Sequence, residues 1–133
     1  MGGIMKDGKA YFFGSGESYS TEEQVIGTWI DGKPLYRRVI EVESLICTIV
    51  FNESTLIEDT SNINIKSIRG SVKWGDTIVP FPFYFDKIDT NTKILIDTSC
   101  YNNKFVLRYS QTSGIQQINI GVSLIIEYTK TTD

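Results

Sequence analysis

From Ile118 to Thr129 apolar and polar side chains alternate: Ile118, Ile120, Val122, Leu124, Ile126 and Tyr128 share one side, while Asn119, Gly121, Ser123, Glu127 and Thr129 share the other. Ile125 is the exception on the polar side. A period of two over more than ten residues predicts a strand with one face on a core. Phe105, Leu107 and Tyr109 alternate in the same way with Lys104, Val106 and Arg108. Tyr36, Ile40 and Val42 do so less cleanly against Arg37, Val39, Glu41 and Glu43. Ile68, Val72 and Trp74 oppose Arg69, Ser71 and Lys73, with Gly70 interrupting the apolar column, and Ile94 to Ile96 form a short apolar run between polar ends.

Turn residues divide these runs. Asp31-Gly32 stands between Trp29-Ile30 and Leu35-Tyr36, a hairpin signal because glycine accepts positive φ at little cost. Gly75-Asp76 predicts a second hairpin, and Asn91, Asn102-Asn103 after Tyr101, and Ser113-Gly114 mark further turns. Pro80 and Pro82 interrupt an otherwise strand-like run from Ile78 to Phe85, which places that run at a sheet edge or in an extended loop. Thr21 to Ile26 carries a hint of a helical turn, with Ser20 or Thr21 as its N-cap. Ile46 to Phe51 reads as a buried strand followed by a loop. Six to nine short strands without a long helix predict an all-β, antiparallel β-sandwich or jelly-roll. Residues 1–18 read as an extension, linker or expression remnant and 19–133 as a single β-sandwich domain, since no internal repeat or low-complexity tract intervenes.

Composition narrows the function classes. The chain has 133 residues, 41% of them hydrophobic and 22% charged, with a net charge of −3. That balance suits one folded core, and the absence of any Lys/Arg run argues against nucleic acid as a partner. Arg37-Arg38 is the only adjacent basic pair, and a strand would send its two side chains to opposite faces. No segment approaches the roughly 18 apolar residues needed to cross a bilayer as a helix, so membrane insertion is not expected. Cys47 and Cys100 read as two buried thiols, with a disulfide as the alternative.

Candidate chemistry is sparse. The sequence contains no histidine, which removes the commonest general base, the usual triad partner and most zinc sites. Gly14-Ser15-Gly16 is too short to cradle a phosphate. Asp76, Asp86, Asp89 and Asp97 read as turn carboxylates rather than a glycosidase pair. A calcium site at Asp86 and Asp89, or at Asp59, Asn62 and Asn64, is the weaker reading of those oxygens, so no metal, cofactor or catalytic residue is expected. The aromatics carry more promise: Tyr84, Tyr101, Tyr109 and Trp74 each join an apolar ring to a polar tip suited to stacking on sugars. Tyr101 with Asn102 and Asn103, then Tyr84 and Trp74, form the candidate ligand-binding set, although Trp74 also continues a core column. Phe81, Phe83 and Phe85 share a face as core or subunit interface, and with Ile125 and Val106 they are candidates for self-association.

Two stretches have a familiar look. Tyr19 to Arg37, YSTEEQVIGTWIDGKPLYR, and Tyr128 to Asp133, YTKTTD, with the alternating strand before it, resemble segments of fibre proteins from phages and prophages of Gram-positive bacteria. Within the first, Trp29, Asp31, Gly32, Lys33, Pro34 and Tyr36 stand in the expected order; Leu45 to Gln116 has no such likeness. The resemblance implies the C-terminal domain of a tail fibre, receptor-binding protein or other virion appendage: a homotrimeric β-structured tip, made in the bacterial cytoplasm, contacting host-surface carbohydrate. The Asp31-Gly32 hairpin would then serve as scaffold, holding Trp29 and Tyr36 on adjoining strands to pin their register. The expectation is a non-enzymatic binding tip. The alternatives are a carbohydrate-binding module or adhesin domain of a bacterial surface protein, and a structural virion component without a ligand.

Overall fold

A computed structural model describes residues 18–48, 51–87, 92–112 and 118–133. The expected turns at Asn91 and Ser113-Gly114, the carboxylate of Asp89 and the Gly14-Ser15-Gly16 segment lie outside them. The described residues form nine strands: β1 Gln24–Thr28, β2 Pro34–Cys47, β3 Asn52–Ile57, β4 Ile63–Trp74, β5 Thr77–Phe81, β6 Phe83–Lys87, β7 Thr92–Tyr101, β8 Lys104–Gln111 and β9 Ile118–Lys130. They make a five-stranded sheet, β1-β2-β9-β4-β5, and a four-stranded sheet, β3-β8-β7-β6, with every pairing antiparallel. The fold is an all-β sandwich.

The alternation explains why the two sheets close on each other. β9 lies at the centre of the first sheet, and Ile120, Val122, Leu124, Ile126 and Tyr128 all point into the core. Phe105, Leu107 and Tyr109 of β8, with Ile94 and Ile96 of β7, answer them from the second sheet. Gly70 faces the same interior opposite Leu124, and it has to be glycine: a Cβ there would collide with the Ser123 carbonyl oxygen of the neighbouring strand. Gln111, 1% exposed, supplies a polar tie in the core by donating from Nε2 to the Cys47 carbonyl (3.0 Å), so that β8 is bonded to β2 across the gap between the sheets.

The predicted hairpins form. In the first, the Gly32 amide donates to the Trp29 carbonyl (2.9 Å) and the Lys33 amide to Asp31 Oδ1 (3.0 Å), with Gly32 at φ 87°. Gly75, at φ 62°, turns β4 into β5, and Asn102-Asn103, at φ 51° and 59°, turn β7 into β8. Asparagine tolerates that left-handed pair better than other non-glycine residues, and such turns match the twist of the strands they join. Pro80 and Pro82 sit where a missing donor does no harm: β5 and β6 are edge strands of opposite sheets, and Pro82 stands between them.

Four expectations need correction. Thr21 to Ile26 is not a helical turn; Gln24 onward pairs with β2 as an edge strand, and Ser20 extends that pairing through its carbonyl to the Val39 amide (2.8 Å). Ile46 is exposed near the end of β2 and Phe51 is exposed before β3, while the residues expected to be loop form β3 itself. Cys47 is buried as expected, but Cys100 is exposed, and both thiols are free. Asp97 is no turn residue: it lies within β7, paired to Arg108.

Candidate functional site

Three regions outside the core concentrate polar chemistry. The first joins the two ends of the described chain. Lys33, from the β1–β2 hairpin, reaches the carbonyls of Lys130 (3.2 Å) and Thr131 (3.4 Å), and the Tyr36 hydroxyl donates to Asp133 Oδ2 (2.7 Å). Glu23 accepts from the Tyr128 hydroxyl (2.6 Å) and from Lys130 Nζ (2.7 Å). Burial alone would raise the Glu23 carboxyl, but these two bonds hold it below its usual range. The same environment pushes the Tyr128 hydroxyl up, by burial first and then by its bond to Glu23. The scaffold role foreseen for Trp29 and Tyr36 is met differently from expectation. Tyr36 pairs with Val25, not Trp29, and stacks on Tyr128 at 5.7 Å, while Lys66 lies 5.4 Å from the Trp29 ring. Arg37, only 3% exposed, is covered by the Tyr19 ring at 4.0 Å and donates to the Ser18 carbonyl (3.1 Å).

The second region is the outer face of the four-stranded sheet. Arg108 of β8 and Asp97 of β7 form a bidentate pair, both bonds 2.8 Å. Tyr101 reaches across β8 to hydrogen-bond Glu53 of β3, which raises the Tyr101 hydroxyl. The register puts Val106 beneath that reach, and it is 2% exposed, so it offers no surface to a partner. Tyr84 stands on the same face, 62% exposed, beside Leu95.

The expected ligand-binding set is therefore dispersed. Tyr101 ends β7 and adjoins the Asn102-Asn103 turn, as foreseen. Tyr84 shares its face but lies opposite Leu95, six residues along β7 from Tyr101, about 20 Å at strand rise. Trp74 points the other way. Its ring meets Phe83 and Phe85 edge-on at 6.3 and 6.4 Å, and those two rings stack on each other at 6.3 Å. Trp74 is partly buried against the core, as are Phe83 and Phe85, while Phe81 is buried within it, so the row packs inward. Two of the residues weighed for calcium serve local structure: Asp59 caps the Ser61 amide (2.9 Å), and Asn62 holds Thr131 (2.6 Å) and the Thr132 amide (3.1 Å).

The third region had no signal in the sequence. On the outer face of the five-stranded sheet, Gly121 and Ser123 of β9 lie beside Ser71 of β4, and longer side chains rise on both flanks: Glu41 and Glu43 of β2, Lys73 of β4 and Ile78 of β5. The result is an open groove of about 390 Å³. Ser123 donates to Glu41 Oε2 across its floor (2.7 Å). Gly121 keeps that floor low, since a Cβ there would approach the Glu43 carbonyl oxygen to 3.1 Å. Comparison with known families, curated proteins and solved structures gives no match. The described residues contain no helix long and apolar enough to cross a membrane and no cluster of three metal-ligating side chains.

Proposed function

We propose that this chain is the terminal domain of a virion fibre from a phage or prophage of Gram-positive bacteria, a homotrimer that recognises carbohydrate on the host surface. The observation that carries the reading is the union of the two fibre-like stretches. Tyr19 to Arg37 and Tyr128 to Asp133 lie about a hundred residues apart, yet Lys33, Tyr36 and Glu23 of the first bond directly to Lys130, Thr131, Asp133 and Tyr128 of the second. Segments that resemble one family and fold into one unit behave as a shared scaffold, with the intervening chain free to carry the recognition surface. Self-association would draw on apolar side chains left in the open at the same end, Val25 and Ile30, which are 66% and 94% exposed. A lone exposed aliphatic side chain needs no partner, but two on one hairpin beside an edge strand favour one.

The test pairs two measurements on the full chain. Light scattering in solution is expected to give a mass three times 15.0 kDa, and the labelled protein is expected to bind cell walls purified from Gram-positive bacteria. A monomer that binds sugar would move the assignment to a carbohydrate-binding module. A trimer that binds no wall preparation would leave a structural virion part.

A further inference from the structure

We infer that the groove over Gly121 is a saccharide subsite for one neutral pyranose. The proposal rests on the reading of the domain as a glycan-binding tip and assigns that role to a definite place. A sugar ring needs hydrogen-bonding groups that converge on its hydroxyls together with an apolar surface for its C–H face. Both are present here. Glu41 accepts one bond from Ser123, and a carboxylate has room for about four, so it can take sugar hydroxyls as well. Ser71 and Ser123 can donate or accept from the floor, and the Lys73 ammonium can donate from the wall. Ile78, 67% exposed on edge strand β5, supplies the apolar flank.

Size and charge select the ligand class. At about 390 Å³ the groove falls at the small end of the usual range for ligand sites. Two carboxylates against one ammonium leave the lining with net negative charge, which disfavours phosphorylated or carboxylated sugars and leaves neutral hexoses and N-acetylhexosamines. Location agrees as well. Ser18 and Asp133 are both bonded to β2 residues at one end of the sandwich, Arg37 and Tyr36. The groove lies beside Val42, six residues further along β2, about 20 Å from that end. A fibre attached at the Tyr36 end would present the groove away from its shaft.

Titrating the ¹⁵N-labelled full chain with methyl glycosides of glucose, galactose, N-acetylglucosamine and N-acetylmannosamine tests the site. At least one glycoside is expected to shift the amides of Ser71, Gly121 and Ser123. Glu41→Gln should weaken that binding by roughly tenfold or more, the loss expected for a hydrogen bond to a charged group. Ser71→Arg, which fills the groove, should abolish it, and Tyr84→Ala, on the opposite face, should leave it unchanged. Each variant's spectrum reports its own fold. Shifts confined to the Tyr84 and Tyr101 face, or no shift with any glycoside while the wild-type protein still binds walls, would overturn the groove and spare the fibre-tip reading. Loss of wall binding as well would remove both. A Ser71→Arg protein whose mass falls to a monomer would identify the groove as an interface between copies, and this also overturns the proposal.

Discussion

Glu23 shows how much one side chain can be asked to hold. It joins the chain segment before β1 to the far end of β9 through Lys130 and the Tyr128 hydroxyl, and its carboxyl lies below the ordinary value of 4.5. A carboxyl lowered by folding contributes stability above its unfolded pKa, and that contribution disappears as pH falls through the folded value. Wild-type protein should therefore lose thermal stability from about pH 4.5 downward. Glu23→Gln should melt lower at pH 7 but fall less on acidification, so the two melting curves draw together as pH falls below 4.5; parallel curves would assign the acid loss elsewhere. Asp59, lowered by its bonds to Ser61, keeps part of the acid slope in both proteins. Trp74 makes the complementary point. Its rings of contact are Phe83 and Phe85, so Trp74→Ala should cost about 3 kcal/mol of stability in urea while glycan binding by the folded fraction stays intact. The sequence left Trp74 open between core and ligand because a tryptophan at the end of an apolar column satisfies both descriptions.

At the scale of the strand, two-residue periodicity is plainest where an interior strand turns one regular face to the core. β9 and β8 lie inside their sheets, bury one whole side, and were legible almost residue by residue. β1 and β3 are edge strands, and they were misread. Gln24–Thr28 and Asn52–Ile57 bury little, so nothing in their composition enforces alternation, and their pairing comes from the partner strand. The weaker pattern in β2 also has a local cause: a bulge between Val42 and Leu45 changes the register, so Leu45 and Cys47 join the inner face out of step with Ile40 and Val42. Gly70 appeared in the sequence only as a gap in the apolar column of β4, and a strand glycine commonly marks such a close backbone approach. Gly70→Ala should destabilise the protein by about 2 kcal/mol, because its methyl group meets the Ser123 backbone, which cannot move without disturbing the β4–β9 ladder. An urea midpoint equal to wild type would mean that the two strands can separate at little cost.

Across the whole molecule, the fold was far more legible than the site. Core positions announce themselves by hydrophobicity, whereas the Gly121 groove is assembled from the polar sides of β2, β4, β5 and β9, where Ser71, Gly121 and Ser123 read simply as solvent-facing residues. Its concavity comes from the difference in side-chain length between neighbouring strands, a quantity that exists only once the strand order is known. The union of Glu23, Lys33 and Tyr36 with the last residues of the chain was equally hidden, since neither segment carries a mark of the other. That union has a consequence for the dynamics of the sandwich. Lys33→Met with Tyr36→Phe removes the bonds from the hairpin to the carbonyls of Lys130 and Thr131 and to Asp133, while keeping most of both side chains' apolar bulk. At about 1 kcal/mol for each lost bond, local opening should become at least tenfold more frequent. Hydrogen exchange should then quicken in Gln24 to Thr28 and in Thr131 to Asp133 together, with Ile96 and Leu107 unchanged at the centre of the other sheet. Faster exchange in one of the two segments alone would mean that each is held by its own strand pairing, and that the contacts between them only record proximity.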